Sequence, residues 1–169
     1  SLLKPPAITA NTPITIGRHK LPNQVVLAPM AGVSDAPFRE LCLTLGAGMA
    51  VAEMMSADLR LKDTRKSCLR RQKSASESLR SVQIVGSDPI MLAEAARFNE
   101  AEGADIIDIN MGCPAKKVTG RASGSALMKE PVLAGEICSA VVNAVSLPVS
   151  LKTRLGWDDS HRNAPEIAY

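Results

Sequence analysis

Residues 87–114, SDPIMLAEAARFNEAEGADIIDINMGCP, decide how this chain is read. Asp88 is a helix N-cap by type, because a short carboxylate can accept from the unpaired amides of a first turn. Pro89 follows at the first helical position, where its missing N–H is no loss. Gly103 closes the helix, and the apolar run ADIIDIN (104–110) is then a strand. That strand runs into Gly112, Cys113 and Pro114, so a thiol stands at its lip.

The same alternation recurs on both sides. VVLAPM (25–30) is a short apolar strand that ends in a Pro/Gly turn. APFRELCLTLG (36–46) reads as an amphipathic helix with Phe38, Leu41 and Leu45 on one face and Gly46 as its stop. MAVAEM (49–54) and SVQIVG (81–86) are strands. A helix from about Pro131 to Val145 buries Leu133, Ile137 and Val141; PVSLKTR (148–154) is a fifth strand, and RNAPEIAY (162–169) begins another helix. Residues 1–22, with Pro5, Pro6, Pro13 and Pro22, read as an irregular lead-in that carries a short hairpin at ITIGRHKLP (14–22).

Continuous apolar strands separated by helices predict a parallel sheet covered by helices. A doubly wound nucleotide-binding sheet should carry G-x-G-x-x-G or G-x-x-x-x-G-K-[ST] after a strand. Neither occurs, and the GAG at 46–48 precedes a strand. Strand starts near Val25, Met49, Val82, Ile106 and Val149 average about 31 residues per unit, which matches a (β/α)8 barrel of about 250 residues. The expected fold is therefore α/β, a TIM barrel of which residues 23–169 form about the first five units. The remaining units would lie beyond Tyr169, and the initial Ser1 predicts a start upstream of it or removed by processing.

Composition narrows the class. The chain has 169 residues, 46% of them hydrophobic and only 2% aromatic, so its core must be aliphatic. No stretch resembles a membrane span of about 18 apolar residues. Cys42, Cys68, Cys113 and Cys138 are widely spaced without a C-x-x-C pair, so no metal site is expected. Free thiols without a secretion signal predict a cytoplasmic protein. The net charge of +3 is uninformative, but residues 60–73 alone carry +6, leaving −3 elsewhere. Such a run is either a solvated face or a patch for nucleic-acid phosphates.

In a parallel barrel the chemistry sits at the C-terminal ends of the strands. Those ends deliver Pro29-Met30-Ala31-Gly32, then Glu53, then Asn110 to Pro114, with Gln83, Lys152 and Arg154 inside strands three and five. An amide, a lysine and an arginine in apolar strands are costly unless they meet partners. Each alone has an alternative reading as a local salt bridge or core hydrogen bond; together, at strand ends, they point to one shared site. A small PMAG turn, an amide and a lysine suit a flat heterocycle such as a flavin, whose N1–C2=O region becomes negative on reduction.

At this point the residues resemble the tRNA-dihydrouridine synthases, most nearly the bacterial B-type branch. The resemblance runs from about Leu21 to Tyr169 through LAPMAGVSDAPFR, EMMSA, VQIVGSDP, DINMGCPAKKV, GSAL and LKTRLGW. It implies that Pro29, Met30 and Ala31 bind FMN, with Gln83 and Lys152 at the isoalloxazine. It implies that Cys113 is the proton donor and that Asn110 holds the uracil or flavin edge, with Arg154 also at the site. NADPH or NADH would be the reductant and tRNA the substrate, with no membrane, metal or oligomer indicated. Ser123 stands where the family pattern leads one to expect a smaller residue.

The chemistry explains the thiol. Reducing a uracil 5,6-double bond takes a hydride at C6 and a proton at C5 from the opposite face. Thiols titrate near about 8.5 and stay mostly protonated at neutral pH, so one can act as that acid. Lys116 and Lys117 follow at once and are expected to meet phosphates beside a flipped-out uridine. Cys42, Cys68 and Cys138 are expected to be packing or incidental residues. Two other readings compete: a flavin enzyme acting on a free pyrimidine, and a non-catalytic RNA-binding barrel fragment.

Overall fold

The computed structural model describes residues 12–114 and 123–168. An antiparallel hairpin of β1 (Ile14–Ile16) and β2 (His19–Leu21) comes first, as the ITIGRHKLP stretch predicts. Every later strand runs parallel to its neighbours. The strands are β3 (Val26–Leu27), β4 (Met49–Ala50), β5 (Met55–Ser56), β6 (Ser81–Val85), β7 (Ile106–Asn110) and β8 (Val149–Lys152).

The second expected strand is broken into β4 and β5. β4 pairs with β3, a bridge from Val51 to Ser81 carries the chain across, and β5 then pairs with β6. The spatial order therefore follows the chain order, from β3 through β8. Winding in one direction with no reversal is the pattern of a (β/α) barrel, not of a doubly wound sheet. The chain is α/β and holds about five units of such a barrel. Among the described residues β3 and β8 each pair with one strand, so the array is open at both ends.

The helices are α1 (Ala36–Thr44), α2 (Arg65–Arg71), α3 (Pro89–Ala101), α4 (Pro131–Ala144) and α5 (Ala164–Ala168). Asp88 caps α3 as expected, accepting from the amides of Ile90 and Met91 at 2.9 and 3.0 Å. Gly46 and Gly103, the expected stops, take φ of +103° and +82°. α3 and α4 lie side by side, α3 over β6 and β7 and α4 over β8.

Period-two alternation divides the sheet's faces. Val82, Ile84, Ile107 and Ile109 face α3 and α4 and pack with Leu92 and Ile137 in the main core. Full burial of each such side chain contributes about 1.5–3 kcal/mol. On the opposite face Ile106 joins Leu21, Met49 and Val51, with Ile14 and Ile16 of the hairpin packed against them. The hairpin thus plugs the N-terminal end of the strands, and the polar residues of β6–β8 sit above that plug.

One expectation fails in α1. Leu41 and Leu45 are 53% and 78% exposed, and the residue buried there is Arg39, at 1%. Arg39 Nε donates to Glu77 Oε1 at 2.5 Å, and its other nitrogens reach the carbonyls of Ser34 and Gln72. A buried guanidinium demands such partners, and they fix which face of α1 turns inward.

Candidate active site

β6, β7 and β8 set five polar side chains in register. Gln83 lies beside Asp108, Asp108 beside Ser150, and Asn110 beside Lys152. Residues 108 and 110 are two apart on one strand, so they share a face. Gln83 Nε2 donates to Asp108 Oδ2 at 2.5 Å, and Ser150 Oγ donates to Asp108 Oδ1 at 2.6 Å. Asn110 Nδ2 donates to Gln83 Oε1 at 2.9 Å. Asn110 Oδ1 accepts from the backbone amides of Gly112 and Cys113, both at 3.0 Å. Burial pushes the Asp108 carboxyl above its ordinary range, against the opposing pull of Ser150, Gln83 and the charge of Lys152.

The turn carrying Cys113 is held from every side. Arg154 Nε donates to the Gly112 carbonyl at 2.6 Å, and the Ser125 amide donates to the Cys113 carbonyl at 2.8 Å. The 3-10 helix Gly124–Lys129 begins against the thiol. A Cβ on Gly124 would lie 2.3 Å from the Cys113 carbonyl oxygen and 2.7 Å from Sγ, and Gly124 has φ of +61°. Only glycine meets both demands. Ser123 beside it is fully buried, and its Oγ finds no partner among the described residues.

The Pro29–Gly32 turn lies at the end of β3 and is held by two side chains. The Met30 amide donates to Ser34 Oγ at 2.8 Å, and the Gly32 amide donates to Glu53 Oε2 at 2.8 Å. Arg70 Nε faces the same Glu53 oxygen at 3.3 Å, which ties α2 of the basic segment to this turn. Lys66 and Arg70 line a depression of about 340 Å³ with Asp35 and Glu53. Elsewhere in the segment Arg60 pairs with Asp58, and Lys62 and Arg71 lie over the Phe98 ring at 5.3 and 5.5 Å.

Of the residues singled out from sequence, the fold gathers Gln83, Asn110, Cys113 and Arg154 into one bonded cluster, with Lys152 beside Asn110. Arg154 acts on a backbone carbonyl. Pro29, Met30 and Ala31 lie apart from this cluster, in a turn that Glu53 links through the Gly32 amide to Arg70 of α2. Lys116 and Lys117 lie outside the described residues. Sequence reading passed over Asp108, Ser150 and the clamping role of Gly124. The available signal for Asp108 was its place two residues before Asn110.

The donor set suits a planar ring. Met30, Ala31 and Gly32 leave an open turn of small backbone, while Lys152 is exposed beside Asn110. Gln83 is 1% exposed, and its two bonds use one N–H and one lone pair, half of what its amide offers. Among the described residues no helix is long and apolar enough to cross a membrane.

The family profile for dihydrouridine synthase (Dus) matches residues 26–169. The chain belongs to the dihydrouridine synthase family. It is 57% identical over 155 residues to tRNA-dihydrouridine synthase B of Pseudomonas aeruginosa, covering 92% of this chain and 47% of that protein. It is 57% identical over 153 residues to the protein of the same name from Vibrio parahaemolyticus, covering 90% and 48%. The chain thus spans about half the length of the curated relatives it matches. The solved structure of a histamine dehydrogenase from Rhizobium sp. 4-9 overlays 85% of this chain and 33% of its own at a TM-score of 0.51. At 12% identity that likeness concerns the fold alone.

Proposed function

We propose that this chain is the N-terminal part of the catalytic barrel of an FMN-dependent tRNA-dihydrouridine synthase. Residues 23–169 would be the first portion of the flavin-binding domain, with the remaining units and a helical tRNA-binding domain outside this chain. The observation that carries the reading is the placement of Cys113, clamped at its amide by Asn110 and against its thiol by Gly124.

Pro29, Met30 and Ala31 would lie under the flavin ring, with Lys152 and the spare N–H of Gln83 at its pyrimidine edge. A bound FMN, reduced by NADPH or NADH, would supply the hydride chemistry for C6 of a tRNA uridine. Cys113 gives its Sγ proton to C5 on the other face, and Asn110 and Arg154 keep the turn rigid while it does so. Lys152 stabilises negative charge beside the ring. Lys66, next to the 29–32 turn, and Lys116 and Lys117 would meet tRNA phosphates around the flipped base. A cytoplasmic setting suits the free thiols.

The test is Cys113→Ala in the full-length protein, with dihydrouridine in tRNA measured by mass spectrometry. Loss of a general acid is expected to slow turnover about 10²- to 10⁴-fold with the protein still yellow. An undiminished rate overturns the reading. Free uridine run in parallel separates a tRNA enzyme from one that acts on loose pyrimidines.

A further inference from the structure

Asp108 is the one buried carboxylate in the cluster around Cys113, and the proton-transfer chemistry leaves it without a task. We infer that Asp108 is a positioning residue: through Gln83 and Asn110 its carboxylate fixes the backbone that aims the Cys113 thiol. The consequence for catalysis rests on the functional reading above, but the relay is a property of the chain alone.

The argument turns on which groups can donate. An ionised carboxylate only accepts, so the 2.5 Å contact with Gln83 must present Nε2 to Asp108. Gln83 Oε1 then necessarily faces Asn110, which must answer with Nδ2, at 2.9 Å. That leaves Asn110 Oδ1 turned to the amides of Gly112 and Cys113. Each step has a single sense that satisfies every atom, and the carboxylate sets it from one end while two backbone amides set it from the other. Ser150 locks Asp108 itself at 2.6 Å. Register alone brings Gln83, Asp108 and Ser150 abreast on three neighbouring strands. Networks of this kind rigidify what they touch when every member is satisfied.

A buried acid of this kind is a poor way to gain stability, since an apolar side chain of similar size avoids the desolvation. Its value lies in orientation. Removing it should therefore loosen the turn and leave the core intact, a split that a purely structural residue does not produce.

The experiment is residue-resolved amide hydrogen exchange on the protein and on Asp108→Leu. Exchange at Gly112 and Cys113 is expected to rise about tenfold or more, because bonds to a charged group are lost from the relay. The amides of Ile84 and Ile107 should hold their rates. Asp108→Asn can still offer Oδ1 to Gln83 while its amide donates to Ser150, so it should restore protection at both turn amides. Unchanged exchange at Gly112 and Cys113 in the leucine variant overturns the relay, as does an equal rise at Ile84 and Ile107. Failure of the asparagine variant to restore protection also overturns it. If the leucine variant does not fold, Ser150→Ala decides on the same two amides, with faster exchange expected there and unchanged exchange overturning the relay. Turnover on tRNA is followed alongside: a wild-type protein that reduces no uridine breaks the functional reading and leaves the exchange result to judge the relay.

Discussion

β6 and β7 are buried at all their residues, whereas β3 and β8 are partly exposed. The inner pair has a strand on each side and two helices above. The outer pair has one strand neighbour each among the described residues. The chemistry divides along the same line. Gln83, Asp108, Asn110 and Cys113 are tied into the closed region, while the Pro29–Gly32 turn at the open end depends on Ser34 and Glu53. The contrast teaches that the cluster around Cys113 is held on all sides within these residues, and that the Pro29–Gly32 turn is the less supported half.

The sharpest way to break that contrast is a matched pair of truncations. Ile107→Ala should destabilise the protein by about 2–5 kcal/mol in chemical denaturation, from lost burial plus the cavity left behind. Leu45→Ala, at 78% exposure, should fall within about 0.5 kcal/mol of wild type. Comparable losses from both would mean that the open face is covered in solution.

Gly124→Ala tests the clamp on the thiol. Forcing a side chain into φ of +61° stores about 1–3 kcal/mol. The new methyl also displaces Cys113, so tRNA reduction should fall further than stability does. Equal activity would show that the thiol need not sit where Gly124 holds it.

Asp108 gives the closed region a pH signature. Its folded-state pKa is raised above 3.8 by desolvation, so the native state binds this proton more tightly than the unfolded chain does. That contribution is fully present below pH 3.8 and is lost as pH rises through the folded pKa. Stability of Asp108→Asn relative to wild type should therefore climb from pH 3.8 upward and level off once the native carboxyl is ionised. Denaturation midpoints across a pH series check this, and a flat difference would contradict the burial of the charge. The smallest effect is expected at the open end. Glu53→Gln keeps an acceptor for the Gly32 amide and, with Arg70 still donating to the Met54 carbonyl, exchanges the largely buried charge pairing for a neutral contact, for about 1 kcal/mol in denaturation.

What sequence alone revealed follows the same division. β6, β7 and β8 were legible because continuous apolar runs between a helix stop and a turn have few other uses. Asp88, Pro89, Gly46 and Gly103 marked helix ends by local chemistry. The inward face of α1 was not legible, because Arg39 is drawn in by Glu77, 38 residues away, and no local period carries that information. The break between β4 and β5 was equally hidden, since it reflects a change of strand neighbour at Val51. In the site, Asn110 and Cys113 stood out in a motif that resembles a known family. Asp108 acquires meaning only when register sets it between Gln83 and Ser150.

The hydrogen bond from the Ser125 amide to the Cys113 carbonyl also works as a clasp. It joins the chain on either side of residues 115–122 immediately behind the thiol. Loop-closure entropy changes slowly with length once the ends are pinned. Substitutions or insertions between the two pinned points can therefore be accommodated at little cost, without moving the sulfur. The clasp thereby uncouples the length and composition of that segment from the position of the thiol.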